Sequence, residues 1–362
     1  GKPPPGEQFD LDGRCLLPGL QDAHVHPPEG GLAMIRCELH DIPPADYEGV
    51  IARYAADNPE RPWILGGGWP MTAFEGGIAR REVLDAIVPD RPVFLQSSEG
   101  HAAWVNTRAL ELAGIDAATP DPDHGRIERD PDGTAAGTLQ EGAMDLVARV
   151  APEDGVDEVV AAIAAAQDYL LSLGITGWQD AWVRPVDHAA YRALAGEGRL
   201  IGNVVGALWW DRTGGNDQLD GLLATSTEGT PRYRPGAIKL MVDGVIENGT
   251  GAVCHPYVGT DDHGITFIDR DTQLAIVPRM MAAEIQPHFH AIGDDAIRSA
   301  LDSVAAGAPA DAARVRPHIA HVQLIDPVDV PRFGALGVAA NAQALWACND
   351  DTMLDLTAPR LG

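Results

Sequence analysis

Lysine is nearly absent from this chain. Only two of the 362 residues are lysines, Lys2 and Lys239, and all the other basic residues are arginines. Lys239 lies inside the apolar stretch AIKLMV. An arginine guanidinium stays charged and is a poor nucleophile, whereas a buried lysine amine can lose its proton. Because the chain otherwise uses arginine for its cations, Lys239 is a candidate for amine chemistry.

Positive charge is scarce as well, with 26 basic against 53 acidic residues and a formal net charge of −27. Such a surface repels phosphate backbones and anionic lipids, which argues against nucleic-acid and membrane partners. No apolar run approaches the length that spans a bilayer. We therefore expect a small-molecule substrate, and a homo-oligomer is the usual state of a soluble enzyme.

Paired cysteines are also lacking. The four cysteines lie far apart and form no C-x-x-C motif, so we expect reduced thiols in a cytoplasmic protein. The first residues, GKPPPGEQFDLDGR, have no apolar core of a signal peptide. Both ends stop abruptly, and we expect the natural protein to extend beyond them.

What the sequence does contain is an alternation of short apolar runs with alanine-rich helical stretches, as in a parallel sheet covered by helices. Seven runs are strand candidates: 16–26, 174–182, 201–210, 237–244, 285–293, 316–323 and 337–345. This spacing predicts an α/β fold, a (β/α)8 TIM-like barrel, with an open doubly wound sheet as the alternative. No G-x-G-x-x-G follows an early strand, which weakens that alternative. Residues 27–155 are too many for one crossover and predict an insertion after the first strand.

Four histidines fall near the C-terminal ends of three predicted strands. His24 and His26 are two residues apart, so their side chains face the same way and can meet one metal ion. His290 and His321 each come just before a turn. Active sites form at this end of a parallel barrel. The pattern predicts a metal site there.

Three further histidines have other predicted positions. His288 shares a strand face with His290 one layer deeper, which indicates packing. His318 lies three residues before His321 and is expected to face away from it. His101, in SSEGHAAWVN, follows a strand-like run and is a candidate to point into the same cleft.

Lys239 lies in the strand between these groups and is followed by Asp243 and Gly244. A neutral amine can take up CO2 and become a carbamate, whose two oxygens can bridge two metal ions. Arginine and protonated lysine cannot do this. The alternative is a salt-bridged or snorkelling lysine.

The ordered set of motifs resembles the amidohydrolase superfamily, and more narrowly its YtcJ-like branch, amidohydrolase family 3. The superfamily motifs are PGLQDAHVH (18–26), IKLMVDG (238–244), HAIGD (290–294) and HIAHVQ (318–323). The narrower match adds GGGW (66–69), PVFLQSSEGHAAWVNTRAL (92–110), GTAAGTLQEGA (133–143) and GITGWQDA (174–181).

The resemblance implies a distorted barrel with one or two divalent metals, usually zinc. His24 and His26 would bind the buried metal, and Lys239, carboxylated by CO2, would bridge to a second metal held by His290 and His321. The family also has an aspartate at the end of its eighth strand, for which this chain offers no match. Residues 1–17 would be a remnant of the family's small β-sandwich and residues 18–362 the barrel, without its last strand.

The implied activity is hydrolysis of a non-peptide C–N bond, in an amide or N-substituted formamide, by metal-activated hydroxide. His101 is a candidate to polarise the carbonyl, and Trp69, His101 and Asp243 are candidates to contact substrate. Tryptophans near predicted strand ends favour an aromatic-lined pocket, with core packing as the alternative. Two other functions remain open: a non-catalytic metal-binding homologue, and a lyase in which Lys239 forms a Schiff base.

Overall fold

The computed structural model describes residues 10–98, 100, 102–122, 125–350 and 352–362. The strands are β1 (Leu20–Val25), β2 (Cys37–Glu38), β3 (Ile64–Trp69), β4 (Val93–Ser97), β5 (Ala102–Val105), β6 (Gly125–Arg129), β7 (Ala135–Glu141), β8 (Ile175–Val183), β9 (Asn203–Trp209), β10 (Tyr233–Met241), β11 (Gln286–Ala291), β12 (His318–His321) and β13 (Ala339–Asn341). The α-helices are α1 (Pro27–Ile35), α2 (Tyr47–Asp57), α3 (Arg81–Ile87), α4 (Thr107–Leu112), α5 (Met144–Ala148), α6 (Val156–Ser172), α7 (Pro185–Gly196), α8 (Gln218–Thr225), α9 (Arg270–Ala282), α10 (Asp294–Ala305), α11 (Pro309–Val315), α12 (Val330–Leu336) and α13 (Ala358–Leu361).

Seven strands form one parallel sheet in the order β1-β8-β9-β10-β11-β12-β13. Every neighbouring pair in this order is parallel. Each of these strands lies within, or overlaps, one of the seven runs predicted from the sequence. Because the order follows the chain and helices separate the strands, the predicted barrel architecture is confirmed.

The sheet is nearly closed on itself. The ring of His24 on β1 lies 5.0 Å from the ring of His288 on β11 and 4.8 Å from that of His321 on β12, measured between centroids. These strands are far apart in the pairing order, so only a curled sheet brings them together. Within the described residues β1 and β13 are the two ends of the order and are not paired with each other.

The two faces of the sheet differ in chemistry, as alternation along a strand requires. Leu208, Leu240, Phe289 and Ile319 face outward and join the largest apolar core, between the strands and the surrounding helices. Their sequence neighbours point into the barrel, and several are polar. The outward face holds the helices in place, and the inward face is available for a site.

A second sheet is formed by the strands between β1 and β8, in the order β2-β3-β4-β5-β7-β6. Its first three strands are parallel and the rest are antiparallel. The apolar run at 92–104 is therefore two strands, β4 and β5, rather than one. Apolar cores packed around Trp69 and around Leu139 belong to this sheet.

All four cysteines are free. Among the residues that the structure describes, no helix combines the length and apolar character needed to cross a membrane.

Candidate metal centre

The strand register places Lys239 beside two buried histidines. Lys239 pairs with His288 across β10 and β11, and His288 pairs with His318 across β11 and β12. Trp209 on β9 pairs with Lys239 from the other side. Residues paired in parallel strands point to the same face of the sheet. These four side chains therefore form one layer of the barrel interior.

His24 and His26 come from β1 and its exit. His24 lies in β1, and His26 is the N-cap residue of α1, which begins with two prolines. Proline is favoured in the first helical turn and disfavours helical backbone in the residue before it, so the sequence HVHPP ends the strand at His26. The helix then packs closely on α6: a Cβ added at Gly31 would lie 1.9 Å from the Ala162 carbonyl oxygen.

The four histidines predicted as metal ligands lie in one cluster. The ring centroids of His24 and His26 are 5.2 Å apart, and that of His321 lies 4.8 Å from His24 and 4.6 Å from His290. All four come from the C-terminal halves or exits of β1, β11 and β12. The structure thus brings together on one side of the barrel what the sequence predicts.

His318 corrects one expectation, because it does not face away from the cluster. Its ring centroid lies 4.3 Å from that of His288. The reason is the backbone at the end of β12, where φ is 77° at His321 and 49° at Val322. Such positive values break the strand geometry and are unusual for non-glycine residues. The turn rotates the His321 side chain inward, so His318 and His321 both face the interior.

Several imidazole nitrogens of the cluster are buried without a hydrogen-bond partner among the described residues. They are His26 Nδ1, His288 Nδ1, His318 Nε2 and His321 Nδ1. Buried polar atoms are normally hydrogen-bonded, and neutral imidazole is a common ligand of zinc and similar metals. The donor set therefore fits a divalent metal.

The rings are not yet arranged as a coordination shell. In the described part of the chain, no group of three or more His, Cys, Asp or Glu side chains is positioned to hold a metal ion. Instead, His24 Nδ1 lies 3.0 Å from His288 Nε2, and His290 Nε2 lies 3.1 Å from the Gly244 carbonyl oxygen. Metal binding therefore requires some rings to rotate about their side-chain bonds.

Burial keeps these imidazoles neutral. It lowers the pKa of His26, His290 and His318 to about 4, and the nearby Lys239 amine lowers each pKa further. The same two causes hold the pKa of His24 and His288 well below the ordinary value. Neutral imidazole is the form that binds metals.

Lys239 is 4% exposed. Burial lowers the pKa of its amine to about 7, and the charge of Asp180 offsets part of that effect. A substantial fraction of this amine is therefore neutral near pH 7, whereas an exposed lysine amine is almost wholly protonated.

Asp243 has no exposed surface. Its carboxylate accepts hydrogen bonds from the backbone N–H groups of Ala252, Ile292 and Gly293, at 2.9, 3.0 and 2.8 Å. One of its oxygens also lies 3.8 Å from His290 Nε2. Burial raises the pKa of this carboxyl to about 7. These contacts support the loops around His290, and the structure gives no support to the predicted contact with substrate.

Trp69 is also placed away from the cluster. It is wholly buried in the core of the second sheet, where its indole N–H donates to the Leu95 carbonyl at 2.8 Å and its ring packs against Phe74 and Trp104. These contacts match core packing, so the predicted substrate role of Trp69 has no support. His101 lies outside the described residues.

Other tryptophans lie beside the histidines. The ring centroid of Trp182 is 6.4 Å from that of His26 and 5.4 Å from that of Trp209, and Trp346 lies 4.7 Å from His321. Sequence reasoning did not single out these indoles. Trp209 has a usable signal, since it ends the strand next to the one that carries Lys239. Trp346 has none, because it follows the last strand in an irregular segment.

Comparison with known proteins identifies the family. The family model described as the amidohydrolase family matches residues 7–360. The chain belongs to the amidohydrolase family. This confirms the resemblance drawn from its histidine and lysine motifs. Within the described residues, this amidohydrolase shows no strand between β13 and β1, where the family's eighth strand and its aspartate are expected.

Curated relatives align with most of this amidohydrolase. Protein LONG AFTER FAR-RED 3 of Arabidopsis thaliana is 30% identical over 98% of this chain and 62% of its own length. The putative amidohydrolase YtcJ of Bacillus subtilis is 27% identical over 96% and 66%, respectively. An N-substituted formamide deformylase of Arthrobacter pascens is 28% identical over 83% and 57%. The chain thus spans less than two thirds of the length of these relatives.

A solved structure shares the fold of this amidohydrolase. It is an uncharacterized metal-dependent hydrolase from Pyrococcus furiosus, with a TM-score of 0.73 and 25% identity. The match covers 95% of this chain and 68% of the solved one. The barrel architecture is therefore that of a metal-dependent hydrolase.

Proposed function

We propose that this amidohydrolase uses divalent metal to hydrolyse a C–N bond other than a peptide bond, in an amide or an N-substituted formamide. The observation that carries the proposal is the convergence of His24, His26, His290 and His321 beside a buried, largely deprotonatable Lys239. Membership of the family supports hydrolysis as the reaction class.

Lys239 is suited to carbamate formation. A neutral amine adds to CO2, a new N–C bond forms, and one proton leaves to solvent. The product carries two oxygen donors where the amine has one nitrogen. A charged ammonium lacks the lone pair for this step, so the low pKa of Lys239 favours it. Arginine at this position could not replace it.

The residues that would hold metal are the four histidines and the carboxylated Lys239. A divalent metal there would supply Lewis acidity, which polarises a carbonyl and lowers the pKa of water. The chain itself orients the donors. Asp243 and Gly244 hold His290 in place, and the barrel core keeps Lys239 away from solvent. Exclusion of water strengthens electrostatic interactions at the reacting carbonyl.

The tryptophans support a substrate with an apolar substituent. Trp182 and Trp209 pack together next to His26 and Lys239, and Trp346 covers His321 on the other side. Aromatic walls of this kind stabilise flat apolar groups by burial and ring contacts. The name of one relative, an N-substituted formamide deformylase, fits a substrate of this chemistry.

The test is metal content, measured by elemental analysis on protein prepared without chelator. We expect up to two equivalents of zinc or a similar metal in the natural chain and one or none in Lys239→Met. The chain offers a matched control, because Lys2→Arg alters the only other lysine. It should leave the metal content unchanged. A 13C carbamate signal after incubation with labelled bicarbonate should appear in the control and vanish in Lys239→Met.

Two outcomes would overturn the proposal. A well-folded protein that binds no metal, and whose Lys239 is trapped by borohydride in the presence of a carbonyl compound, would indicate a Schiff-base enzyme. A metal-loaded protein that hydrolyses no amide or formamide would indicate a non-catalytic homologue.

A further inference from the structure

His288 is a buried histidine without a role in the proposed ligand set. It has no exposed surface and lies in the middle of β11. Its Nε2 is 3.0 Å from Nδ1 of His24, a candidate ligand on the opposite side of the barrel. Because the two residues come from strands far apart in the sheet order, this hydrogen bond depends on closure of the barrel.

The direction of this hydrogen bond decides what His24 can do. A neutral imidazole has one nitrogen that donates and one that accepts. If His288 Nε2 donates, then His24 carries its own proton on Nε2 and has no lone pair there for a metal. If His24 Nδ1 donates to His288 Nε2, then His24 Nε2 keeps its lone pair. Only the second arrangement makes His24 a ligand through the nitrogen that its hydrogen bond leaves free.

His288 is held for this task by its neighbours. Its ring packs against that of His318, with centroids 4.3 Å apart and planes 34° from parallel. The two residues are also paired in the sheet register. In the accepting arrangement the proton of His288 lies on Nδ1, which has no hydrogen-bond partner among the described residues. His288 Nε2 is therefore directed at His24 by packing rather than by a second hydrogen bond.

Metal-binding histidines usually donate their second N–H to a carboxylate, a backbone carbonyl or water. His290 follows this rule through the Gly244 carbonyl. Asp22, the carboxylate nearest to His24 in sequence, is engaged instead by the His24 backbone N–H at 2.9 Å. The acceptor for the His24 ring is thus an imidazole.

We propose that His288 is a positioning residue, which accepts the Nδ1 proton of His24 and so orients its Nε2 toward the metal. This inference rests on the proposed metal-binding function. It assigns His288 a role that core packing would not require, and it predicts that the acceptor atom matters more than the volume of the side chain.

Two substitutions separate these roles. His288→Gln places an amide oxygen near the position of Nε2 and keeps an acceptor. His288→Phe keeps the ring volume and removes the acceptor. His318→Phe is the matched control, because it keeps a packing ring at the other side of His288. Zinc affinity is measured by competition with a chromophoric chelator, and folding by circular dichroism and thermal unfolding.

We expect zinc affinity to fall about 10- to 100-fold in His288→Phe, as for loss of comparable supporting partners. It should stay within a few-fold of the natural chain in His288→Gln and His318→Phe. Equal affinity in His288→Phe and the natural chain would overturn the proposal. So would an equal loss in His288→Gln and His288→Phe, since that result indicates a purely steric role.

A second measurement needs no metal and separates failure of this inference from failure of the proposed function. Long-range 1H–15N NMR of imidazoles in the metal-free protein reports the tautomer of His24. We expect a proton on Nδ1 in the natural chain and a shift toward Nε2–H in His288→Phe. A His24 that already carries its proton on Nε2 in the natural chain would overturn the inference, whatever its metal content.

Discussion

The imidazole Nε2 of His290 lies 3.1 Å from the carbonyl oxygen of Gly244. A carbonyl oxygen only accepts hydrogen bonds, so Nε2 of His290 carries the proton and its Nδ1 holds the lone pair. His290 can therefore bind metal through Nδ1, whereas the hydrogen bond of His24 leaves its Nε2 free for that purpose. The two candidate ligands present different ring nitrogens to the same centre.

This difference predicts opposite substitution patterns at the two histidines. An asparagine amide lies close to the position of Nδ1, and a glutamine amide close to that of Nε2. We expect His290→Asn to keep zinc affinity within about tenfold and His290→Gln to lose on the order of 100-fold. At His24 the order should reverse, with glutamine better than asparagine. Chelator competition measures both pairs, and the same order at both sites would contradict the assignment.

A second prediction concerns the cost of burying Lys239. Its pKa is about 7 in the folded chain against 10.5 for the exposed amine. Between these values the unfolded chain binds more protons than the folded one, so this contribution to stability rises with pH. Lys239→Met removes the cost. We expect the metal-free methionine variant to be more stable by a few kcal/mol at pH 7.

The difference should shrink as pH rises toward 10, where the unfolded amine also loses its proton. Urea unfolding of both proteins at pH 7 and pH 9, with chelator present, measures it. A constant difference across this range would show that the Lys239 amine is not perturbed. Lys2→Arg, the matched control, should track the natural chain at both pH values.

Most of the barrel could be predicted from sequence because its signals are local. Each of the seven strands is a short apolar run between turn residues, and buried strands alternating with helices leave few architectures. The positions of His24, His26 and His290 follow from the same reasoning. Strand periodicity places each side chain, and a parallel barrel gathers the strand ends.

The errors arise where periodicity stops. His318 was misplaced because the positive φ at His321 resets the alternation, and no residue in HIAHVQ signals it. Trp69 was assigned to the pocket because GGGW ends a strand, and the sequence does not show that this strand belongs to the second sheet. The indoles that do lie near the histidines, such as Trp346, reach them through tertiary packing.

The turn after β12 gives a third prediction. Val322 has a φ of 49°, and a β-branched residue in this region is strained by about 1 to 3 kcal/mol. Glycine removes the strain, which offsets its own entropic cost and the lost side-chain contacts. We expect Val322→Gly to be neutral or stabilising in urea unfolding. Val315→Gly, at a helical residue packed on the same core, should destabilise by about 1 kcal/mol or more. Equal losses at the two positions would contradict the strain.

The last prediction concerns the wall formed by Trp182 and Trp209. The Trp182 indole N–H is buried without a hydrogen-bond partner among the described residues, and its ring lies between His26 and Trp209. If substrates place an apolar substituent against this wall, Trp182→Ala should remove contact area for that substituent only. We expect kcat/KM for N-phenylformamide to fall about 10- to 100-fold, or about 1.4 to 2.8 kcal/mol.

Unsubstituted formamide, which has no group to reach the wall, should change by no more than a few-fold. Trp182→Phe should give an intermediate loss for N-phenylformamide, because the ring remains while the N–H is lost. Trp178→Phe is the matched control, since Trp178 lies on the same strand but packs in the outer core. Steady-state kinetics with both substrates measures the ratio. An equal loss for both substrates in Trp182→Ala would mean that Trp182 supports the histidines rather than the substituent.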